Sequence, residues 1–328
     1  MAAEAAAPLL RVRDLRIEFD LGERRATAVE DVSFDVGAGE VVGMVGESGC
    51  GKSVTALSLM RLLETPPGHV SATELRFQGD DLLTLPEREM QRLRGGAISL
   101  VFQDPLSALN PVLTIGYQVA EALALHRRQS IKAAWPAALE MLRRVGLPNP
   151  EHRARAYPHE ISGGQRQRVM IAMAFICEPQ LVIADEPTTA LDVTVQRQVL
   201  DLMLDLRREQ NAGILLITHD LGVVAETCDR VLVMYAGRLV EAGTAAEIFH
   251  SPRHPYARAL LDALPRLDAP HAERLVSISG QPPDLSAMPT GCPFHPRCRV
   301  ATTQCREEMP PRSVFSPTHA GRCWHPQA

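Results

Sequence analysis

Eight consecutive residues near the start of the chain have the composition of a phosphate-binding loop. They match the pattern G-x-x-x-x-G-K-[ST] at every fixed position and are Gly46, Glu47, Ser48, Gly49, Cys50, Gly51, Lys52 and Ser53. Glycines let backbone amides converge on phosphate oxygens, and a helix that follows presents its positive end to the same anion. We expect Lys52 to reach the β- and γ-phosphates, Ser53 to ligate Mg²⁺, and Val54 to complete the binding segment. The pattern predicts a nucleotide site.

Two adjacent carboxylates could supply a Mg²⁺ ligand and a general base, which the phosphate loop itself does not provide. Asp185 and Glu186 directly follow the apolar run Leu181 to Ala184, which is typical of a buried strand. Asp185 is expected to hold the Mg²⁺ shell, and Glu186 to polarise an attacking water as general base. An Asp-Glu pair after a strand is more often a solvated turn, but together with the loop it favours nucleotide hydrolysis.

A third motif opens a helix that extends through Ile176. Its residues Ser162, Gly163, Gly164 and Gln165 can present exposed amides and a hydroxyl to an anion. Taken alone, Ser-Gly-Gly is usually a flexible turn. In its place ahead of Leu181, the segment closely resembles the signature motif of ABC ATPases. The resemblance implies that this helix end faces the γ-phosphate held by another subunit, in a head-to-tail dimer.

The remaining elements of that family follow in the same order along residues 10–250. The resemblance implies that Gln103, after the strand Ala97 to Phe102, touches Mg²⁺ and the water, and that His219 contacts the γ-phosphate. It also places Asp192, in the segment Ala190-Leu191-Asp192, in a loop across the dimer interface. One element departs from the family: residues 23–29 contain no aromatic side chain to stack on adenine, and Phe19 is the nearest candidate.

Alternating strand-like and helix-like segments must position these residues. Glu40 to Gly46 reads as a buried strand, Ser53 to Leu63 as the following helix, and Gly213 to Thr218 as a further strand. Val231 to Val240 reads as a hairpin turning at Ala236-Gly237. These segments favour an α/β fold with a doubly wound, mostly parallel sheet and a helical insertion, which includes the helical pattern at 133–145. The family resemblance further implies a P-loop ABC ATPase domain over residues 8–250, with an antiparallel β subdomain and the helical insertion at about 104–165.

The last quarter, residues 251–328, reads as a small, irregular extension rich in proline and cysteine. Four cysteines have the spacing C-x₅-C-x₆-C-x₁₇-C: Cys292, Cys298, Cys305 and Cys323. Such thiolates can fix a weakly structured tail by chelating a metal. The spacing does not choose between Zn²⁺ and an iron–sulfur cluster, and His295, His319 and His325 keep mixed zinc ligation open.

This tail resembles the C-terminal extension of ATPases from peptide importers, the dipeptide, oligopeptide and nickel uptake branch. The resemblance lies in residues 291–298, His254-Pro255-Tyr256 and Leu260-Leu261. It implies ATP and Mg²⁺ as cofactors, with a [4Fe-4S] cluster favoured over Zn²⁺. It further implies a peripheral position on the cytoplasmic face of the membrane, with two transmembrane permeases, a second related ATPase and an extracytoplasmic substrate-binding protein as partners.

Composition argues against several classes of protein. The chain has 34 basic and 39 acidic residues among 328, for a formal charge of −5, so it lacks the basic field that captures nucleic acid. No apolar run approaches the roughly 20 residues of a membrane-spanning helix, and no secretory signal is recognisable. A soluble ABC-type ATPase acting on nucleic acid or ribosomes, and an exporter subunit, remain as alternatives. Substrate identity (dipeptide, oligopeptide, nickel or another solute) is left open.

Overall fold

A computed structural model describes residues 7–22, 24–189, 192–264 and 278–327. The chain divides into two compact units. Unit 1 is formed by Val36–Glu40 and Thr84–Ile217, together with the N-terminal residues up to Leu9. Unit 2 is formed by Leu10–Asp35, by Val41–Leu83 and by the chain from Thr218 onward. Both units contain strands and helices.

The described residues form thirteen strands. In chain order they are β1 (Leu10–Asp20), β2 (Arg25–Val36), β3 (Val41–Val45), β4 (Gly68–Ser71), β5 (Glu74–Phe77), β6 (Asp80–Asp81), β7 (Ile98–Val101), β8 (Leu181–Asp185), β9 (Gly213–Ile217), β10 (Arg230–Tyr235), β11 (Arg238–Thr244), β12 (Ser313–Val314) and β13 (Ala320–Gly321).

The same residues form twelve α-helices, and short 3₁₀ turns lie at Pro158–Glu160 and His295–Arg297. The helices are α1 (Lys52–Leu59), α2 (Glu87–Leu93), α3 (Pro105–Ala108), α4 (Ile115–Arg127), α5 (Ile131–Arg144), α6 (Pro150–Arg153), α7 (Gly163–Phe175), α8 (Val193–Gln210), α9 (Leu221–Thr227), α10 (Ala245–His250), α11 (Pro255–Asp262) and α12 (Thr303–Glu307). No helix in the described part of the chain has the length and apolar character needed to span a bilayer.

Unit 1 is organised around the parallel strands β7, β8 and β9. Ile98 pairs with Leu181, and Leu181 with Gly213, so the three strands start in register. All five residues of β8 and of β9 are buried, which explains why these strands read as continuous apolar runs rather than alternating ones. Helices α3 to α6 occupy the region between β7 and α7, where the sequence shows only helical patterns.

Unit 2 contains two groups of strands. In the first group, β4 and β5 pair antiparallel with successive halves of one edge of β1, and β2 lies on its other edge. In the second group β3 runs parallel to β10, and β10 turns back into β11 through Ala236 and Gly237, both at positive φ. This confirms the expected hairpin and its turn. Beyond β11 the sheet continues with β13 and then β12, two short strands of the tail that the sequence analysis did not identify.

Helix α1 is shorter than expected. The sequence pattern predicts a helix to Leu63, but the helix ends at Leu59. Arg61 adopts a left-handed conformation with φ of 50°, and the Leu62 amide donates to the Leu57 carbonyl at 2.9 Å. This is the hydrogen bond of a Schellman ending, in which satisfied terminal carbonyls stop a helix although apolar residues continue.

Candidate nucleotide-binding site

The predicted phosphate loop lies between a buried strand and a helix, as the motif requires. Strand β3 ends at Val45, and α1 begins at Lys52 with Gly51 as its N-cap residue. Gly51 has φ of 106°, and a Cβ there would lie 2.9 Å from the Ala28 carbonyl oxygen. A Cβ on Gly46 would lie 2.1 Å from the Met234 carbonyl oxygen. Close approach of Ala28 and Met234, which belong to the same unit as the loop, therefore requires glycine at both fixed positions.

Lys52 is folded over the loop. Its side chain is only 5% exposed, and Nζ donates to the carbonyl oxygens of Gly46 at 2.8 Å and Glu47 at 3.0 Å. One turn into α1, the Thr55 hydroxyl donates to the Gly51 carbonyl at 2.8 Å. Ser53 is the second residue of this helix. The ammonium is thus held at the helix end where phosphate oxygens bind in loops of this type.

Glu47, the second residue of the loop, is held by two side chains from far along the sequence. Its amide donates to the Tyr256 hydroxyl at 2.9 Å. Its carboxylate accepts two hydrogen bonds from Arg297, at 2.5 Å and 2.9 Å. Tyr256 and Arg297 both lie in the residues that resemble the peptide-importer extension, but the sequence analysis gave them no role in the nucleotide site.

The predicted general base has polar partners within unit 1. Gln103 Nε2 and Thr189 Oγ1 each donate to Glu186 Oε2 at 3.0 Å. The Glu186 amide donates to the Ile217 carbonyl at 2.8 Å, and Asp185 closes β8 at 9% exposure. The structure therefore brings Gln103 and Glu186 together. Thr189 was not identified from the sequence, because one threonine after two carboxylates carries no pattern.

The predicted signature segment begins α7 with a reciprocal cap. Ser162 Oγ accepts the Gln165 amide hydrogen at 3.3 Å, and Gln165 Oε1 accepts the Ser162 amide hydrogen at 3.2 Å. Nothing lies within 4 Å of a Cβ built on Gly163, whereas one on Gly164 would meet Val195 at 2.9 Å. Among the residues that the structure describes, the helix end is open at Gly163, which leaves room for an anion.

Two further predicted residues lie next to helix starts. Asp192 is the N-cap of α8 and accepts the Val195 amide hydrogen at 3.0 Å, while its neighbours at 190 and 191 lie outside the described residues. His219 follows β9 and precedes Asp220, the N-cap of α9. Their predicted roles toward a nucleotide stay predictions. So does adenine stacking on Phe19, which lies in β1 opposite Gly68.

The four tail cysteines line one small cavity. Its volume is about 10 Å³, close to what a single water molecule requires, and its walls include His254, Phe294 and Trp324. Burial raises the pKa of Cys323 to about 12, and the three other thiols act in the same direction, since they lie within electrostatic reach. In the described part of the chain, however, no three His, Cys, Asp or Glu side chains are arranged to hold a metal ion. The donor set fits a metal group; the arrangement does not form a single-ion site.

Comparison with known proteins agrees with the strand–loop–helix geometry. Residues 29–189 match the family model of the ABC transporter, and residues 240–305 match that of the oligopeptide/dipeptide transporter C-terminal region. The dimeric structure of an ATP-binding cassette in a post-hydrolysis state, bound to ADP and Pi, covers 72% of this chain and 98% of its own. It has a TM-score of 0.63 at 27% identity. The fold and the loop therefore define an ABC ATPase cassette.

Two curated relatives show to which group of ABC ATPases the chain is similar. The oligopeptide transport ATP-binding protein OppD of Salmonella typhimurium is 51% identical over 99% of this chain and 96% of its own. The dipeptide transport ATP-binding protein DppD of Bacillus subtilis is 49% identical over 96% and 94%. The chain belongs to the ATP-binding proteins of oligopeptide and dipeptide ABC transporters.

Proposed function

We propose that the chain is the ATP-hydrolysing subunit that powers uptake by a peptide-type ABC importer. The observation that carries this proposal is the phosphate loop between β3 and α1, combined with the Gln103–Glu186 hydrogen bond and the matched C-terminal region. Peptides are the substrate class that the names of the relatives support. Specificity among dipeptides, longer peptides, nickel and other small solutes would reside in the permeases and in an extracytoplasmic binding protein.

Each predicted residue has a part in the reaction. Lys52 binds the β- and γ-phosphates. Ser53, Gln103 and Asp185 would hold Mg²⁺, which would supply charge neutralisation at the transferring phosphoryl group. Glu186 accepts the proton of the attacking water, and Gln103 orients Glu186 through the hydrogen bond at 3.0 Å. His219 contacts the γ-phosphate and stabilises the charge that develops there.

The chain has one nucleotide-binding cassette, and an active transporter would need a second one from a partner subunit. The capped, open end of α7 at Ser162 to Gln165 would bind the γ-phosphate of a second, related ATPase, and the Asp192 loop would lie at that interface. Binding of two ATP molecules closes the pair, and the helices between β7 and α7 pass the motion to two membrane permeases. This places the chain at the periphery of the membrane, on its cytoplasmic face.

The proposal is tested by identifying what co-purifies with a tagged chain from detergent-solubilised membranes of its host. We expect two multi-spanning permeases, a second ATPase and a lipid-anchored binding protein, detected by mass spectrometry. The Glu186→Gln variant is the matched bait, because stalled turnover should enrich the closed complex. Recovery only with ribosomal or repair proteins would overturn the transport function and leave the ATPase chemistry standing.

We propose that the four tail cysteines bind an iron–sulfur cluster. One observation supports it: all four thiols line the same cavity, and cysteine thiolates are the usual ligands of such clusters. The cluster would have a structural role, tying together a tail with little regular structure.

Metal and sulfide analysis after anaerobic purification tests the cluster. We expect iron and acid-labile sulfide in the wild-type chain, their loss in Cys305→Ser, and their retention in Cys177→Ser, a buried cysteine that is not among the cavity-lining residues. Stoichiometric zinc without sulfide would show that the cysteines bind Zn²⁺ and would overturn the cluster. A chain without either metal would contradict the proposal.

A further inference from the structure

Arg297 is a buried arginine whose hydrogen bonds connect the C-terminal extension to the phosphate loop. Its side chain is 4% exposed. Both terminal nitrogens donate to Glu47, while Nε donates to the Ser279 carbonyl at 2.9 Å and Nη1 donates to the Tyr235 hydroxyl at 3.3 Å. The Glu47 hydrogen bonds raise the pKa of Arg297 above its ordinary value, so the guanidinium is charged at every accessible pH.

Glu47 requires a cationic partner because it lies within the phosphate loop. It directly follows Gly46, in a loop whose function is to bind several negative charges, and its side chain is 26% exposed. A carboxylate that is free to turn toward the phosphates would repel them, and partial burial weakens the screening of that repulsion. The bidentate pair with Arg297 neutralises the carboxylate and fixes its direction.

A second contact holds the backbone of the same residue. Tyr256, fully buried in α11, accepts the Glu47 amide hydrogen, and His254 Nδ1 accepts the Tyr256 amide hydrogen at 3.0 Å as the helix cap. The Tyr256 ring packs on Tyr235 at 4.5 Å and on Phe294 at 5.3 Å between centroids. Side chain and backbone of Glu47 are thus both held from the C-terminal side of the chain.

We infer that Arg297 is a positioning residue for ATP binding: by neutralising Glu47 and fixing its direction, it sets the affinity of the phosphate loop for nucleotide. The extension is therefore a part of the nucleotide site. Arg297 ends the turn His295–Arg297, between Cys292 and Cys298, so the segment that carries it also carries two of the four cavity thiols.

The test is a double-mutant cycle on the full-length chain, with ATP affinity measured by titration calorimetry. Arg297→Met leaves the Glu47 carboxylate uncompensated, and we expect a rise in Kd of about tenfold, equivalent to ~1.4 kcal/mol. Adding Glu47→Gln removes the repelling charge, so the double variant should return to within about threefold of wild type, the tolerance usual for a cycle of this kind. Arg322→Met is the matched control, because Arg322 is another tail arginine, paired with Asp31 instead of the loop.

The cycle distinguishes positioning from folding. Rescue by Glu47→Gln cannot occur if Arg297→Met acts by unfolding the extension, and circular dichroism with thermal unfolding checks each variant. If the methionine variant does not fold, Arg297→Lys replaces it, with a smaller rise in Kd that Glu47→Gln again removes. Wild-type affinity in the folded single variant, or a double variant as weak as the single one, would overturn the inference.

Discussion

Glu186 combines an unusual backbone with a fully organised side chain. Its φ is 46°, a left-handed conformation that a glutamate adopts only at a cost. The surrounding hydrogen bonds from Gln103 and Thr189, together with the amide bond to Ile217, hold it there. Backbone strain of this kind clusters at functional sites, which agrees with the proposed role of Glu186 as general base.

Removing the basicity of Glu186 should therefore stop hydrolysis without preventing binding. Glu186→Gln is expected to lower the ATPase rate of the assembled transporter by at least the ~10²–10⁴-fold that a general base contributes, with ATP affinity retained. Glu178→Gln, the same change at a side chain 69% exposed, should leave the rate unchanged. Near-wild-type turnover in Glu186→Gln would show that Glu186 is not the general base.

The loop glycines allow a graded prediction. Gly51→Ala introduces a Cβ at φ of 106° and 2.7 Å from Met234 Cε, so we expect ATP binding to be lost in a chain that still folds. Gly49→Ala also lies at positive φ, but nothing lies within 4 Å of its Cβ, so its Kd should rise much less. Equal effects of the two substitutions on ATP affinity would show that close contact with Met234 is not what fixes the loop.

At the level of elements, the Glu247 carboxylate in α10 forms hydrogen bonds both within its own helix cap and with the C-terminal extension. Glu247 Oε2 accepts the Thr244 amide hydrogen at 2.9 Å in the capping box of α10, and its other oxygen accepts from Ser316 at 2.6 Å and Thr318 at 2.9 Å. Burial acts to raise the pKa of Glu247, but the hydrogen bonds from Ser316 and Thr244 outweigh it and lower the pKa from 4.5 to about 2.

This shift gives a pH-dependent stability with a defined sign. A lowered pKa stabilises the folded state above pH 4.5, and the contribution is lost as the pH falls from 4.5 toward about 2. Glu247→Gln should thus unfold at a lower temperature than wild type at pH 7, and the difference should shrink across that interval. The exposed Glu307→Gln is the control. A difference that is independent of pH would contradict the assignment.

Elements with strong local signals could be predicted from the sequence, and the others depend on distant partners. Strand β3, the loop after it and the β10–β11 hairpin follow from short apolar runs and from glycine. The end of α1 depends on the conformation of Arg61, and β13 has two residues, too few for any periodicity. The Glu47–Arg297 pair joins positions 250 residues apart, which no local pattern can indicate.

At the level of the whole molecule, the signature segment and the base are expected to act on different nucleotides. A chain with Glu186→Gln, mixed with its partner ATPase and ATP, should sediment as a pair. Adding Ser162→Asn retains an N-cap of equal strength but enlarges the side chain at the open end of α7. We expect this double variant to lose ATP-dependent association. Association equal to that of Glu186→Gln alone would show that α7 does not bind across the interface.

The link from Arg297 to Glu47 also sets an order of events during synthesis. A ribosome makes the phosphate loop early and the arginine that neutralises it 250 residues later. A nascent chain that ends before residue 297 holds the loop glycines and Lys52 but leaves the Glu47 charge unopposed. On the proposed role of Arg297, we expect the ATP affinity of the loop to reach its full value only near the end of translation, when the extension has been made.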